Sequence, residues 1–331
     1  MQTKTVFNYL DNDYIMKGVA DWLYKEDSGL LSAMPVKEVS GNGVKYNVLT
    51  TDASAAWTDT GDVIPEETAL FEQRSAAIYR LIGDADVDKY HIQTNSIQNP
   101  EMVEIKNKTR GMLRQWHAAM LYGPTTTTSS SKQPKGLLRL LAELESESTT
   151  DLDGAAGQNT QVIAQEASSS VMTIAGLERM MDAIKFGCDG LIMSRVARRY
   201  LNSLSLAAGI SVSMAQNEYG RNLDVFNGAK IYINDHMDNN ILDGSSNVLT
   251  IASHNRAATW ASTVDNTIII GVNLGQDGVC QIQSGGFTHE PRFTVPNKDA
   301  WRHRFKWYTG FACYNKFALA ALINVSTATA T

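Results

Sequence analysis

Residues 36–82 read VKEVSGNGVKYNVLTTDASAAWTDTGDVIPEETALFEQRSAAIYRLI. In the first part Val44, Tyr46 and Val48 alternate with Lys45 and Asn47. In the last part Phe71, Ala77, Tyr79 and Leu81 keep to one face. This period of two predicts strands over 36–50 and 69–82, joined by the polar tip 51–68. Strands of about fourteen residues reach roughly 45 Å at 3.3 Å per residue. A two-stranded hairpin of that length is marginal alone. It needs something to lie on, and a neighbouring subunit would serve.

Charge is laid out in blocks around this hairpin. Residues 51–72 hold Asp52, Asp59, Asp62, Glu66, Glu67 and Glu72 and no Lys or Arg. Residues 100–140 are basic, with Lys106, Lys108, Arg110, Arg114, Lys132, Lys135 and Arg139 against Glu101 and Glu104. The end of the chain is basic again, through Arg292, Lys298, Arg302, Arg304, Lys306 and Lys316. Blocks of opposite sign suit docking between copies of one chain, although ordinary solvated faces carry such blocks too.

Further along, residues 96–122 predict a long helix. Met102, Ile105, Leu113, Trp116 and Met120 form its apolar stripe, Thr109 fills a gap, and Ser96 is the candidate N-cap. Gly123 and Pro124 end it. Residues 145–170 are polar and read as a loop or insertion. A second helix is expected over 173–188, followed by a strand at 190–193 and a third helix capped by Ser194. AKIYI, NVLTIA, NTIIIGV and GVCQI then read as short strands. Residues 301–325 read as an aromatic, basic strand leading into an apolar strand or short helix. The sum is a mixed α+β chain with no βαβ repeat.

The composition sets bounds on function. The 331 residues are 43% apolar, enough for one large domain or two modest ones, and 19% charged. A net charge of −6 argues against a surface that coats nucleic acid throughout. Cys188, Cys280 and Cys313 form no CxxC pair, which fits a reduced compartment. No signal peptide and no run of about eighteen apolar residues occurs, so no membrane partner is expected. Phosphate-loop, dinucleotide, zincin and nucleophile-elbow motifs are missing from the sequence. The six histidines are scattered. The best metal-like cluster, Asp235, His236 and Asp238, reads as a polar turn. No catalytic residue, cofactor or metal is expected.

Several segments in order resemble the major capsid proteins of tailed bacteriophages, the Hong Kong-97 type of fold, which also builds encapsulin compartments. The tip AAWTDTGDVIPEETALF, with Trp57, Gly61, Ile64, Pro65 and Phe71, looks like the end of that family's extended loop. AAMLYGPTTTTSSSKQPKGLL, with Gly123, Pro134, Gly136 and Leu137, resembles the end of its spine helix and the restart after it. Residues 174–204, with LDVFNGAKIYIND, resemble its axial domain. NTIIIGVNLGQDGVCQIQSG and the closing WRHRFKWYTGFACYNKFALAALINV resemble the return into the peripheral domain, ending near Asn324 and Val325.

The resemblance implies an N-terminal arm at 1–33, an extended β-hairpin loop at 34–82, and a peripheral domain with the spine helix at 83–140 and 286–331. It places an axial domain with a polar insertion at 141–285. It implies a structural protein and not an enzyme: a shell built from pentamers and hexamers of this chain around double-stranded DNA, held non-specifically on the inner face. An encapsulin-like compartment is the alternative. An unrelated soluble enzyme or binding module is a second one. Portal, separate scaffold and decoration proteins are candidate further partners, and the location is a virion assembled in the host cytoplasm. Residues 1–33 leave little room for a built-in scaffold, so a scaffold is expected to be a separate protein or absent. The tip lacks the Lys that some relatives use in Lys–Asn cross-links. Contacts between subunits are expected at Trp57, Asp59, Asp62, Ile64, Glu66 and Glu67 on the tip. Their counterparts are expected at Lys106, Lys108, Arg110 and Arg114 on the long helix, and at Arg302 and Arg304.

Overall fold

The structure, a computed structural model, describes residues 29–63, 66–94, 99–121, 123, 132–144, 161–164, 172–209, 213–216, 222–234, 237 and 266–326. The chain enters through α1 (Leu30–Ala33) and β1 (Val36–Glu38). β2 (Gly43–Thr51) and β3 (Leu70–Ala77) form the hairpin, followed by β4 (Tyr79–Asp88) and α2 (Lys89–Thr94). The long helix is α3 (Pro100–Leu121), and α4 (Leu137–Leu144) restarts after it. β5 (Val162–Ala164), α5 (Ile174–Ala183), β6 (Gly190–Met193) and α6 (Arg195–Ala207) come next. β7 (Ser213–Gln216), β8 (Asn222–Phe226), β9 (Ala229–Ile233) and β10 (Asn266–Val272) follow. Two long strands, β11 (Val279–Thr294) and β12 (Ala300–Cys313), lead through a 3-10 turn at Lys316–Ala318 into β13 (Leu319–Ser326).

The hairpin forms where the alternation placed it, but it is shorter than expected. Pairing runs from Gly43↔Ala77 to Leu49↔Phe71, with Thr51↔Leu70 after an irregularity. The outer ends of both expected strands leave it. Gly41, at φ 105°, turns the chain between β1 and β2. β1 then pairs parallel with β11, and β4 pairs antiparallel with β12 along Tyr79–Asp88. The hairpin therefore grows from a four-stranded sheet of order β1-β11-β12-β4.

α3 lies against one face of that sheet. It starts at Pro100, later than the sequence suggested. Pro has no N–H to lose at the first helical position, and Asn99 Oδ1 accepts from Glu101 N at 3.0 Å. Ser96 lies outside the described residues. The buried stripe is Ile105, Thr109, Met112, Leu113, Trp116, Met120 and Leu121. Thr109 Oγ1 donates to Ile105 O at 2.8 Å, so its hydroxyl is satisfied inside the stripe. Met102 is not part of it, at 37% exposure, because the first turn meets the sheet through Glu101 instead. Trp116 stacks on Trp307 of β12 at 5.9 Å and 14°, and tilts against Phe311 at 5.7 Å. At 1% exposure, Trp116 is the kind of residue whose truncation costs about 3–5 kcal/mol.

Gly123 adopts φ +56°, and a Cβ there would come within 2.2 Å of Gly136 N and 2.6 Å of Pro134 O. The ends of the intervening segment are thus in backbone contact, and α4 starts from that point. Leu137, Leu138, Leu140, Leu141, Ala142 and Leu144 are all buried. Such a helix, apolar nearly all round, sits inside a core. Its one buried charge, Arg139, lies 3.4 Å from Glu143.

The second sheet has seven strands in the order β5-β13-β10-β6-β9-β8-β7. α6 begins at the cap expected from the sequence, Ser194 accepting from Ala197 N at 3.2 Å, whereas α5, expected over 173–188, starts after a Thr173 cap that accepts from Gly176 N at 3.1 Å and ends already at Ala183. The segment NVLTIA lies outside the described residues. The closing stretch divides between the sheets. Ala300–Cys313 belongs to the four-stranded sheet, whereas Leu319–Ser326 lies between β5 and β10 in the seven-stranded one. The reason is burial on both faces. Ala320, Leu322 and Val325 face the cluster of Leu177 and Met180 from α5, while Leu319, Ala321 and Ile323 face the cluster of Trp116 and Leu141. Only a sheet covered on both sides accepts such a strand.

Candidate assembly surface

The hairpin is anchored at its base and bare beyond it. Tyr46, Val48 and Ala76 pack with Cys280, Ile282 and Ala312 of the four-stranded sheet. Tyr46 meets Tyr314 edge-on at 4.8 Å, and Lys37 Nζ sits 4.6 Å over the Tyr314 ring. Desolvation by burial pushes the Tyr314 hydroxyl up to about 12. Past Val48 and Glu72 the burial stops. Leu49, Leu70 and Phe71 are exposed, Val63 is 92% exposed and Trp57 fully so. A turn holds the tip: Asp59 N donates to Asp62 Oδ2 at 2.9 Å, and Thr60 N to Asp59 Oδ1 at 2.7 Å. Ser54 reaches across to Glu67. Glu66 is exposed, and Ile64 and Pro65 lie outside the described residues.

The basic residues fall into two groups. On α3, Arg110 and Arg114 are exposed and Lys106 and Lys108 half-buried, and no acidic residue follows Glu104 in the helix. Arg302 and Arg304 stand on the opposite face of the sheet and are already engaged within the chain. Arg302 donates to both oxygens of Asp86 at 2.6 Å, and Arg304 to both of Asp84 at 2.8 and 2.9 Å. These bonds hold both carboxyls below the usual range. Lys306 pairs with Glu290 in the same ladder. The sequence showed the basic block of β12 but not its acidic partner strand, Asp84 and Asp86; on α3, Lys106 and Arg110 also have partners within the chain.

The structure also brings together residues that the sequence left scattered. His303 Nε2 lies 2.5 Å from Glu101 Oε1, and His303 Nδ1 lies 3.1 Å from His289 Nε2. The two rings stack at 5.3 Å, and His289 stacks on Phe305 at 4.8 Å. Arg292 also reaches Glu101, at 3.5 Å. With ring protons placed to satisfy most partners, His303 donates to Glu101 and accepts from His289. His289 Nδ1 is then a buried acceptor without a partner. Desolvation and the neighbouring His303 push His289 down to about 4, and the bond from His303 holds Glu101 below its usual range. This clasp ties the start of α3 to the sheet. Register counted back unbroken from the turn between β11 and β12 puts His289 opposite Lys306 and His303 opposite Arg292, on different faces; the irregularity between Glu290 and Phe293 brings both rings to one face.

Burial raises the pKa of all three thiols, to about 11 for Cys188 and about 12 for Cys313, which disfavours the thiolate a nucleophile needs. Among the described residues, no group of three or more His, Cys, Asp or Glu is placed to hold a metal ion. Asp235, His236 and Asp238 lie outside those residues. No described helix is long and apolar enough to cross a membrane.

No protein-family profile and no curated protein matches the sequence. Solved structures do match, over nearly the whole chain. The holo-SrpI encapsulin complex of Synechococcus elongatus PCC 7942 superposes with a TM-score of 0.61 at 12% identity, covering 91% of this chain and 89% of that one. The capsid of the native GTA particle gives 0.58 at 13% identity, covering 90% of each. A structure from Microbacterium phage Oxtober96 gives 0.57 at 12% identity, covering 90% of this chain and 91% of that one. At such identities the likeness is one of fold.

Proposed function

We propose that this chain, whose fold is the Hong Kong-97-like capsid fold shared by phage major capsid proteins, the GTA capsid and encapsulin, is a major capsid protein that self-assembles into an icosahedral shell around double-stranded DNA. One observation carries this reading beyond fold. Among the described residues of the distal hairpin, Leu49, Trp57, Val63, Leu70 and Phe71 are large apolar side chains left exposed. An exposed apolar hairpin end is costly in a lone subunit and useful where a neighbour covers it.

In this reading the hairpin at 34–82 clamps a neighbour, with Trp57 and Ile64 as apolar anchors. The carboxylates Asp59, Asp62, Glu66 and Glu67 approach Lys106, Lys108, Arg110 and Arg114, or Arg302 and Arg304. The four-stranded sheet and α3 form the peripheral domain. Residues 141–285, with α5, α6 and the seven-stranded sheet as far as β10, form the axial domain around which five or six copies gather, and β13, from the 286–331 segment of the peripheral domain, adds to that sheet. The role is structural, the setting a virion assembled in the host cytoplasm, and portal, scaffold or decoration proteins are further partners. The likeness to an encapsulin favours a second reading, a compartment around protein cargo. Purified particles separate the two: DNA protected from nuclease supports the capsid, and a packaged enzyme without DNA supports the compartment. A monodisperse monomer with a defined small ligand contradicts both.

A further inference from the structure

A cavity of about 110 Å³ opens beside α3, floored by Leu81, Trp116, Ala119 and Phe311 and rimmed by Arg80 and Lys132. Its floor is apolar and aromatic, and its rim is cationic. The tip of the hairpin has the opposite character: a fully exposed Trp57 set among carboxylates, with no Lys or Arg between residues 51 and 72. We infer that this cavity receives Trp57 from the hairpin of a second copy, with the tip carboxylates against Arg80 and Lys132. The inference rests on the shell reading and names the receptor that the reading requires.

The occupant cannot be the chain's own tip. The cavity adjoins Tyr79, two residues past the hairpin base at Ala77. Eight residues of paired strand, Leu70–Ala77, hold the tip roughly 25 Å beyond that base at 3.3 Å per residue. The indole would enter among rings that already favour aromatic neighbours, since Trp116 is stacked on Trp307 and tilted on Phe311. Aromatic anchors filling pockets, ringed by polar contacts, are the usual centres of protein interfaces. The charges around the rim would set direction and salt dependence more than affinity.

A proximity cross-link tests this while leaving Trp57 in place. Thr58→Cys and Gln133→Cys are introduced together in the whole chain, particles are assembled and oxidised, and the products are run on denaturing gels without reductant. Covalent multimers are expected from assembled particles of the double variant and from neither single variant. Adding Trp57→Ala should cut their yield at least about tenfold, and should raise the subunit concentration needed for assembly by about tenfold, equivalent to about 1.4 kcal/mol. Gln115→Trp, which crowds the cavity mouth from an exposed helix position, should have the same effect without altering the fold. Particles that form normally but give no cross-link, or whose yield ignores both Trp57→Ala and Gln115→Trp, overturn the inference and leave the shell reading standing. Subunits that never assemble overturn both.

Discussion

Replacing His289 by Phe isolates the acid-sensitive part of the clasp that holds α3 to the sheet. The groups facing His289 are His303 from β12, Glu101 from α3, and Glu290 on its own strand. Its folded pKa is depressed from 6.5 to about 4. A depressed group contributes stability that is complete above the unfolded pKa, near 6.5, and is lost as pH falls toward the folded value. The full shift corresponds to at most about 3 kcal/mol, and solvent reaching this half-buried ring reduces that to roughly 1–2 kcal/mol. Glu101, also depressed, adds its loss only below the unfolded carboxylate value near 4.5, so above that pH the loss is due to His289 and not to Glu101. Phe keeps the stack on Phe305 but cannot titrate. It also leaves His303 Nδ1 without its donor, which costs about 1 kcal/mol at neutral pH. Urea unfolding of dissociated subunits at pH 7.5, 5.5 and 4.5 measures both effects. The parent should lose roughly 1–2 kcal/mol across this range, and the Phe variant less than half of that. An equal slope in both proteins, or a parent whose stability is flat from pH 7.5 to 4.5, refutes the reasoning.

Gly123→Ala should destabilise by about 2–4 kcal/mol, since it combines a left-handed backbone with overlap on Gly136, and a lowered urea midpoint with unchanged slope would record it. Ser194→Ala removes the cap of α6 and should cost about 1 kcal/mol by the same measurement. Mature particles boiled with reductant should give a single subunit band, because the tip supplies no lysine for a covalent link; a ladder of multimers would contradict this.

Much of the fold was legible because its signals are local. Alternation at Val44, Tyr46 and Val48 marked the hairpin, the Ile105–Met120 stripe marked α3, and Ser194 marked the start of α6. What could not be read depends on pairing between distant segments. Nothing near Arg302 or Arg304 announces that Asp86 and Asp84 lie opposite, because β4 and β12 are separated by more than two hundred residues. The same holds for Glu101 and His303. The hairpin looked longer than it is because β1 and β4 continue its alternation while pairing elsewhere, and period alone does not say with which strand a strand pairs. Likewise, Leu319–Ser326 reads as apolar in any setting. Its place in the seven-stranded sheet follows only from needing cover on both faces.

In the proposed shell, another copy of the chain completes the exposed end of the hairpin. Electron microscopy of the concentrated, purified protein tests it most directly. Closed shells of uniform diameter are expected, with the density of each hairpin tip lying on an adjacent subunit. Images and sedimentation showing only a compact monomer at every salt concentration, with or without a scaffold partner, would contradict it, as would shells in which Trp57 points into solvent.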